Sequence, residues 1–343
     1  MKTTAIKLVK HGDPKEAFSH SEIELEDLQQ DEIRIEVESF GLNYADVMAR
    51  NGLYREAPPL PAVIGYEVVG RVSEIGKEVP LQYLNKRVVA FTRFGGYSKH
   101  VNTKYYAAVE IGDYDGGKAL CLATQYVTAF FMSHVATTVQ QGDHVLIHSA
   151  AGGVGTALIQ LLRKKGAVLY AKTGSDKKTD YLKDQGVDHI INYNKQDYTA
   201  ELKRLLGKER LDVSFNPVAG STFKKDWRLL GNGGTIVLFG GSERSDKKWG
   251  ILSTLNFVRK MGIIIPITLM MRSKSIIGIN MLKIADYKPR TLQYCLEEVV
   301  KLALKGDLNP QVGAEYPADK ISDAHAFLES GKSTGKIVVH WKD

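Results

Sequence analysis

The chain has 343 residues, 43% of them hydrophobic and 25% charged, which gives room for two globular domains and excludes a mini-protein, a coiled coil and wholesale disorder. Lys and Arg number 46 against 39 Asp and Glu, a net charge of +7 without any block of like charges, so an anionic partner is permitted but nothing reads as a basic arm. The two cysteines, Cys121 and Cys295, stand in no CxxC or Cys/His spacing, which excludes a disulfide framework or cysteine-rich zinc site and fits a reducing, cytoplasmic compartment.

Met1 to Ile6 leads directly into a strand-like segment, without the apolar stretch of a signal peptide. Up to about residue 122 the pattern is β-like: Ile33, Ile35 and Val37 alternate with Arg34, Glu36 and Glu38, and a turn at Leu84-Asn85-Lys86 precedes the strand Arg87 to Phe91. From Gly142 strands and helices alternate. The strand His144 to His148 is followed by a helix that places Val154, Leu158, Leu161 and Leu162 on one face. The strand Val168 to Ala171, a helix over 177–185, the strand His189 to Tyr193 and a helix over 197–206 come next. Asp212 to Phe215, a helix over 221–230, Thr235 to Gly240 and a sixth strand at Ile276 to Ile279 complete a doubly wound parallel sheet. A helix over 290–305 and the strand Lys336 to His340 lead out. The longest apolar run, Met261 to Met271, contains Gly262 and Pro266 and is too short to span a bilayer, so no transmembrane helix is expected.

Ser149-Ala150-Ala151-Gly152-Gly153-Val154-Gly155 lies between a strand and a helix, the context of a phosphate-binding turn. Small residues let the backbone approach a pyrophosphate, and the amides of the helix start hold it. Ser149 or Ala150 fills the first glycine position of GxGxxG. NAD binders usually carry an acid near the tip of the second strand, whereas this chain reads Ala171-Lys172-Thr173-Gly174-Ser175-Asp176-Lys177-Lys178. Basic and hydroxyl groups there favour the 2′-phosphate of NADP(H). Gly331-Lys332-Ser333-Thr334 imitates the end of a P-loop, but Ala326 stands at the position of its first glycine.

Several stretches carry a resemblance to one family: Phe40 to Tyr54 (FGLNYADVMARNGLY), Pro61 to Glu67 (PAVIGYE), Gly95-Gly96-Tyr97, Thr128-Ala129, the Ala150 to Gly155 loop and Gly335-Lys336-Ile337-Val338. In this order they resemble the medium-chain dehydrogenases/reductases, and within them the zinc-free quinone oxidoreductase (zeta-crystallin-like) family. The wording around 40–61 and 148–155 is similar to the branch named after the synaptic vesicle membrane protein VAT-1. The resemblance implies an α/β protein with a GroES-like β-rich catalytic domain over 1–122 and 273–343 and a Rossmann NADP(H)-binding domain with a six-stranded parallel sheet over 123–272. It also implies a homodimer formed by joining two Rossmann sheets.

Zinc-dependent members carry a Cys and a Gly-His-Glu where this chain reads Asn43 and Gly65-Tyr66-Glu67, so no metal is expected. Without a Lewis acid to polarise an alcohol, the expected reaction is hydride addition to an electron-poor acceptor, a quinone or an α,β-unsaturated carbonyl. The resemblance makes Asn43 and Tyr54 the partners of the substrate oxygen, with Tyr54 a proton donor directly or through water. Tyr54 also reads as an aromatic packed in a Gly/Pro-rich loop. Asp46 and Arg50 accompany them, although their i, i+4 spacing on a helix starting near Tyr44 reads first as a mutual ion pair.

Along the cofactor the resemblance places the Ala151, Gly152, Gly153, Val154 and Gly155 turn, then Thr173, Ser175, Lys178 and Tyr193 at the 2′-phosphate, then Asn216, Gly240 and Asn280. Lys178 is preferred over Lys177 for its spacing to Tyr193. Asn216 departs from the Asp that the family often carries, and Lys332 reads either as a further cofactor contact or as a solvated lysine.

Acceptor choice is expected from loops around Tyr54, Tyr126, Asn280 and residues 249–271. In the last of these, Trp249, Leu252, Leu255, Phe257 and Met261 lead into Ile263 to Ile267, with Lys247, Lys248 and Lys260 nearby. The segment reads as pocket wall, dimer contact or membrane-surface contact, in that order. A function of another class is a non-catalytic NADPH-binding protein acting through RNA or a membrane surface. The charge permits it, but no RNP motif or aromatic-interleaved basic strip is present, so no nucleic-acid partner is expected.

Overall fold

The computed structural model describes residues 1–245 and 250–341. The chain forms two compact units, Met1–Val127 with Leu282–Asp343, and Thr128–Met281.

The first unit opens with an antiparallel pair, β1 (Lys2–Leu8) and β2 (Phe18–Glu24). Its main sheet begins with β3 (Glu32–Leu42), β4 (Glu67–Ile75), β5 (Arg87–Phe91), β6 (His100–Lys104) and β7 (Ala108–Glu110). On β3 the apolar residues Ile33, Ile35 and Val37 are buried while Glu36 and Glu38 face solvent, as the period of two requires. Arg34 breaks the alternation. It is buried because its guanidinium donates to Glu74 Oε1 (2.6 Å), Asn102 Oδ1 (3.1 Å) and the Glu26 carbonyl (3.1 Å).

The second unit carries β8 (His144–Ile147), β9 (Val168–Thr173), β10 (His189–Asn192), β11 (Leu211–Asn216), β12 (Leu230–Leu238) and β13 (Ser275–Gly278). All pair in parallel in the order β10-β9-β8-β11-β12-β13. This is the 3-2-1-4-5-6 order of the expected six-stranded Rossmann sheet, whose ligand side lies at the carboxyl ends of the strands. The helix Gly153–Arg163 buries Leu158, Leu161 and Leu162, each contributing roughly 1.5–3 kcal/mol of apolar burial. The helix expected over 177–185 is divided into a 3₁₀ turn, Asp176–Lys178, and the helix Thr179–Asp184. β12 starts at Leu230, ahead of its apolar run, because its glycines take up a register shift against Leu211 and Val213 of β11.

The chain returns to the first unit through β14 (Val312–Pro317) and β15 (Lys336–His340), completing a seven-stranded sheet in which β15 pairs with β3. This pairing puts Lys336 beside the strand that leads into Asn43. One helical run, Gly116–Ala136, has the 21-residue length and mean hydropathy of 1.3 of a membrane-crossing segment, and 78% of its apolar window is buried inside the protein. Thr124, Gln125, Thr128 and Ser133 punctuate its apolar residues along the sequence.

Candidate functional site

In the second unit the strand-to-helix turn after β8 is built for close approach. Ser149 adopts φ +52°, the left-handed conformation that glycine usually supplies in such turns. The Gly152 amide donates to the Ser149 carbonyl at 2.9 Å, and the helix starts at Gly153. A Cβ on Gly155 would lie 2.5 Å from the Ala150 carbonyl oxygen and 2.6 Å from its Cα, so only glycine lets the helix pack so tightly. Ala151 is buried inside the turn, and Gly153 and Val154 form the first helical turn. Amides at such a terminus lack intrahelical partners and carry positive potential, so these residues fit the pyrophosphate of a dinucleotide.

Around the tip of β9, Thr173 is buried and Ser175 Oγ accepts from the Lys177 amide at 3.3 Å. Lys178 is half-buried, which lowers its pKa. The Tyr193 hydroxyl stands over Gly174, where a Cβ would come within 2.6 Å of it. Gly240 allows a similar approach, to 2.7 Å of the Pro217 carbonyl, and Asn280 is exposed beyond β13. Asn216 is buried at the end of β11, where its Oδ1 accepts from the Val218 and Ala219 amides at 2.9 Å each.

Asn216 belongs to a buried polar network that sequence reasoning did not find. Asp226, on the helix Gly220–Leu229, accepts at Oδ2 from His148 Nε2 (2.8 Å), Ser214 Oγ (2.8 Å) and Asn216 Nδ2 (2.6 Å), and at Oδ1 from Tyr198 OH (2.8 Å). Burial opposes its charge, but His148, Ser214 and Tyr198 outweigh this and hold its pKa below the ordinary value. Burial lowers the pKa of His148 against the opposing Asp226 carboxylate, and the ring sets Nε2 on Asp226 and Nδ1 3.4 Å from Lys172 Nζ. The Lys172 ammonium sits 4.0 Å from the Tyr198 ring centre and 4.8 Å from that of Tyr193. A cavity of about 280 Å³ opens beside it, walled by His148, Ser149, Lys172, Tyr193, Val218, Ser221, Ser242 and Glu243. Two signals were legible: a lysine ending an apolar strand, and an aspartate on the apolar stripe of a helix, three residues after Phe223 and three before Leu229.

In the first unit Asn43 precedes the helix Tyr44–Arg50. Its Nδ2 donates to Glu67 Oε1 (2.9 Å), its Oδ1 accepts from Lys336 Nζ (2.9 Å), and its amide donates to Asp46 Oδ2 (2.8 Å). Lys336 also forms an ion pair with Glu67, both fully buried. Asp46 is fully buried too, and desolvation pushes its carboxyl up to about 7 against the opposing Asn43 amide. The anticipated Asp46–Arg50 ion pair is replaced by another: Asp46 turns back to the helix start, and buried Arg50 pairs with Glu329 at the end of the helix Ile321–Glu329. Tyr54 meets Tyr66 edge-on with ring centres 6.2 Å apart, and burial, then Glu56, pushes its phenol up to about 12.

The fit for zinc is poor. The relevant positions hold an amide, a phenol and a carboxylate already matched by Lys336, in place of thiolate and imidazole donors. Among the described residues no group of three or more His, Cys, Asp or Glu is arranged to hold a metal.

Of the apolar segment, Lys247, Lys248, Trp249 and the side chain of Leu252 lie outside the described residues. Leu255, Ile263, Ile265, Ile267, Met270 and Met271 are exposed, Ile263 to 95%, whereas Met261 packs on the sheet core. Lys332 is exposed, and Tyr126 is buried.

Two family descriptions match the chain: an alcohol dehydrogenase GroES-like domain over residues 29–136 and a zinc-binding dehydrogenase over residues 153–297. The human synaptic vesicle membrane protein VAT-1 homolog is 28% identical over 312 residues, 90% of this chain and 78% of that protein. Human quinone oxidoreductase is 25% identical over 340 residues, 98% of this chain and 97% of that protein. The solved structure of Escherichia coli quinone oxidoreductase complexed with NADPH matches with a TM-score of 0.85 at 25% identity, covering 98% of this chain and 99% of the other. Two adjoining domains of one superfamily, in the right order and with relatives along nearly the whole length, identify the chain as a member of the medium-chain dehydrogenase/reductase superfamily, in its quinone oxidoreductase and VAT-1-like branch.

Proposed function

We propose that the protein is an NADPH-dependent, zinc-independent oxidoreductase that reduces a quinone or an α,β-unsaturated carbonyl. The observation that carries this reading is the donor set of the first unit, where Lys336 occupies the Glu67 carboxylate and binds Asn43, while the resemblance makes Asn43 and Tyr66 the counterparts of the Cys and His of zinc-dependent members. That arrangement serves an acceptor that needs no Lewis acid. The similarity to quinone oxidoreductases, one of them complexed with NADPH, supports the same reading.

When bound, the cofactor supplies a hydride. The turn from Ala151 to Gly155 holds its pyrophosphate, and the basic tip of β9 favours its 2′-phosphate. Tyr54, with its pKa raised to about 12, keeps its proton at neutral pH and so meets the developing oxyanion as a hydrogen-bond donor. Asn43 holds Glu67 and Lys336 in a self-neutralising pair behind it, and the second hydrogen on its Nδ2 is a further donor. A homodimer is part of this reading, with exposed Ile263, Met270 and Met271 as the apolar surface it would cover.

The test is oxidation of NADPH with a panel of quinones and enones, using wild type and Tyr54→Phe. Turnover of one acceptor class, reduced about 10- to 100-fold in Tyr54→Phe with NADPH affinity retained, is the expected result. NADPH binding without turnover of any acceptor would replace this reading by the non-catalytic one.

A further inference from the structure

Tyr66 packs against Tyr54 in the first unit, and the packing of that unit does not explain its hydroxyl. The side chain is 3% exposed, yet the hydroxyl is enclosed with no hydrogen-bond partner among the described residues. A phenylalanine would fill the same ring space without leaving a buried polar group unmatched. The ring is also held on purpose. Tyr54 meets it edge-on with centres 6.2 Å apart, and Phe94 lies 5.3 Å away on its other contact. Phe94 is kept at φ +153°, with the Arg93 guanidinium 5.6 Å from its ring centre. Side chains rarely adopt that backbone conformation, and such strain gathers where a group is held for chemistry.

An enclosed donor without an acceptor in the resting protein gains one if the reaction creates negative charge beside it. Tyr54 is the neighbour at which such charge would form. Burial, then Glu56 and Asp46, raise the Tyr54 pKa, whereas Tyr66 and Arg93 lower it, so the Tyr66 hydroxyl is near enough to favour a charged Tyr54 oxygen.

We propose that Tyr66 is a positioning residue for Tyr54, its hydroxyl donating a hydrogen bond to the Tyr54 oxygen as Tyr54 passes its proton to the acceptor. The inference rests on the reductase reading above and makes Tyr54 the acid of that reaction. The electron pair arrives with the cofactor's hydride, so the cofactor is oxidised and the acceptor reduced. The Tyr54 O–H bond breaks as an O–H bond forms on the acceptor oxygen, and water afterwards returns a proton to the Tyr54 phenolate. Tyr66 keeps its own proton throughout, because burial, then Asp46 and Tyr54, raise its pKa.

The experiment is steady-state kinetics of wild type, Tyr66→Phe, Tyr54→Phe and the double variant with NADPH and those quinones and enones that wild type turns over, menadione and cyclohexenone among those tried. Thermal melting and NADPH fluorescence titration accompany each. Expected in Tyr66→Phe is a kcat about 10-fold lower, with KM and NADPH affinity within about twofold of wild type. Adding Tyr66→Phe to Tyr54→Phe should cause no further loss, because the hydroxyl acts only through Tyr54. Tyr66→Phe should melt at or above the wild-type temperature, since it removes an unmatched buried hydroxyl. An unchanged kcat in Tyr66→Phe, losses that multiply in the double variant, or a lowered melting temperature of Tyr66→Phe overturns the assignment and leaves the reductase reading standing. Tyr54→Phe as active as wild type removes Tyr54 as the acid and the role of Tyr66 with it. Wild type that turns over no quinone or enone overturns both the assignment and the reductase reading.

Discussion

Asp226→Asn, paired with Asp226→Ala, tests whether the buried network is held by charge or by shape. In the wild type one carboxylate accepts four hydrogen bonds of 2.6–2.8 Å in full burial. An asparagine whose oxygen takes the Oδ2 position still accepts from His148, Ser214 and Asn216. Its amide then faces Tyr198, whose hydroxyl can turn to accept while its proton goes to the Thr222 carbonyl, already 3.5 Å away. The loss is therefore mainly the charge assistance of those bonds, about 2 kcal/mol after allowing for non-additivity. Alanine leaves all four donors without an acceptor and opens a hole, at a cost of about 4 kcal/mol. Urea unfolding followed by circular dichroism measures both, with equal slopes certifying that the unfolded states compare. Variants within about 0.5 kcal/mol of wild type, or an alanine variant no worse than the asparagine one, would refute the account of this network.

Gly155→Ala places a methyl carbon 2.5 Å from the Ala150 carbonyl oxygen, so the helix start must shift; a loss of about 1–3 kcal/mol in stability together with loss of NADPH fluorescence enhancement is expected. Asp46 titrates near 7 in the fold and near 3.8 when unfolded, so the native state binds more protons between those values and stability falls as pH rises through them. A decline of about 3 kcal/mol between about pH 5 and about pH 8 in urea unfolding should be largely absent in Asp46→Asn, and equal declines would contradict it. Glu329→Gln leaves the buried Arg50 guanidinium uncompensated, but Glu329 itself is 32% exposed, so the expected cost is only about 1–2 kcal/mol. Its signature is a salt dependence weaker than that of wild type.

The strand and helix alternation of the second unit could be read from residues 144 to 279 because a period of two or of 3.6 is a local property, imposed by which face each segment buries. The Gly152 to Gly155 turn was legible for the same reason, since its chemistry lies in consecutive small residues. The individual site groups were less so. Arg34 looked like a solvent-facing residue of an alternating strand, and only the folded sheet shows Glu74 and Asn102 waiting for it. Asp46 and Arg50 had the spacing of an ion pair, but spacing along a helix leaves open which end each side chain turns to, and the partner of Arg50 lies 279 positions away.

What the sequence by itself determined is therefore the order and type of the elements, the parallel sheet, and the tight small-residue turn from Gly152 to Gly155. What only the tertiary structure decided is which polar groups share a site: Lys336 with Asn43 across 293 positions, His148 with Asp226 across 78, and Lys172 held between two tyrosines. The physical reason is that secondary structure follows from neighbours three or four residues apart, whereas a buried charge must find its counter-group or its ligand wherever the packed chain brings one within hydrogen-bonding distance.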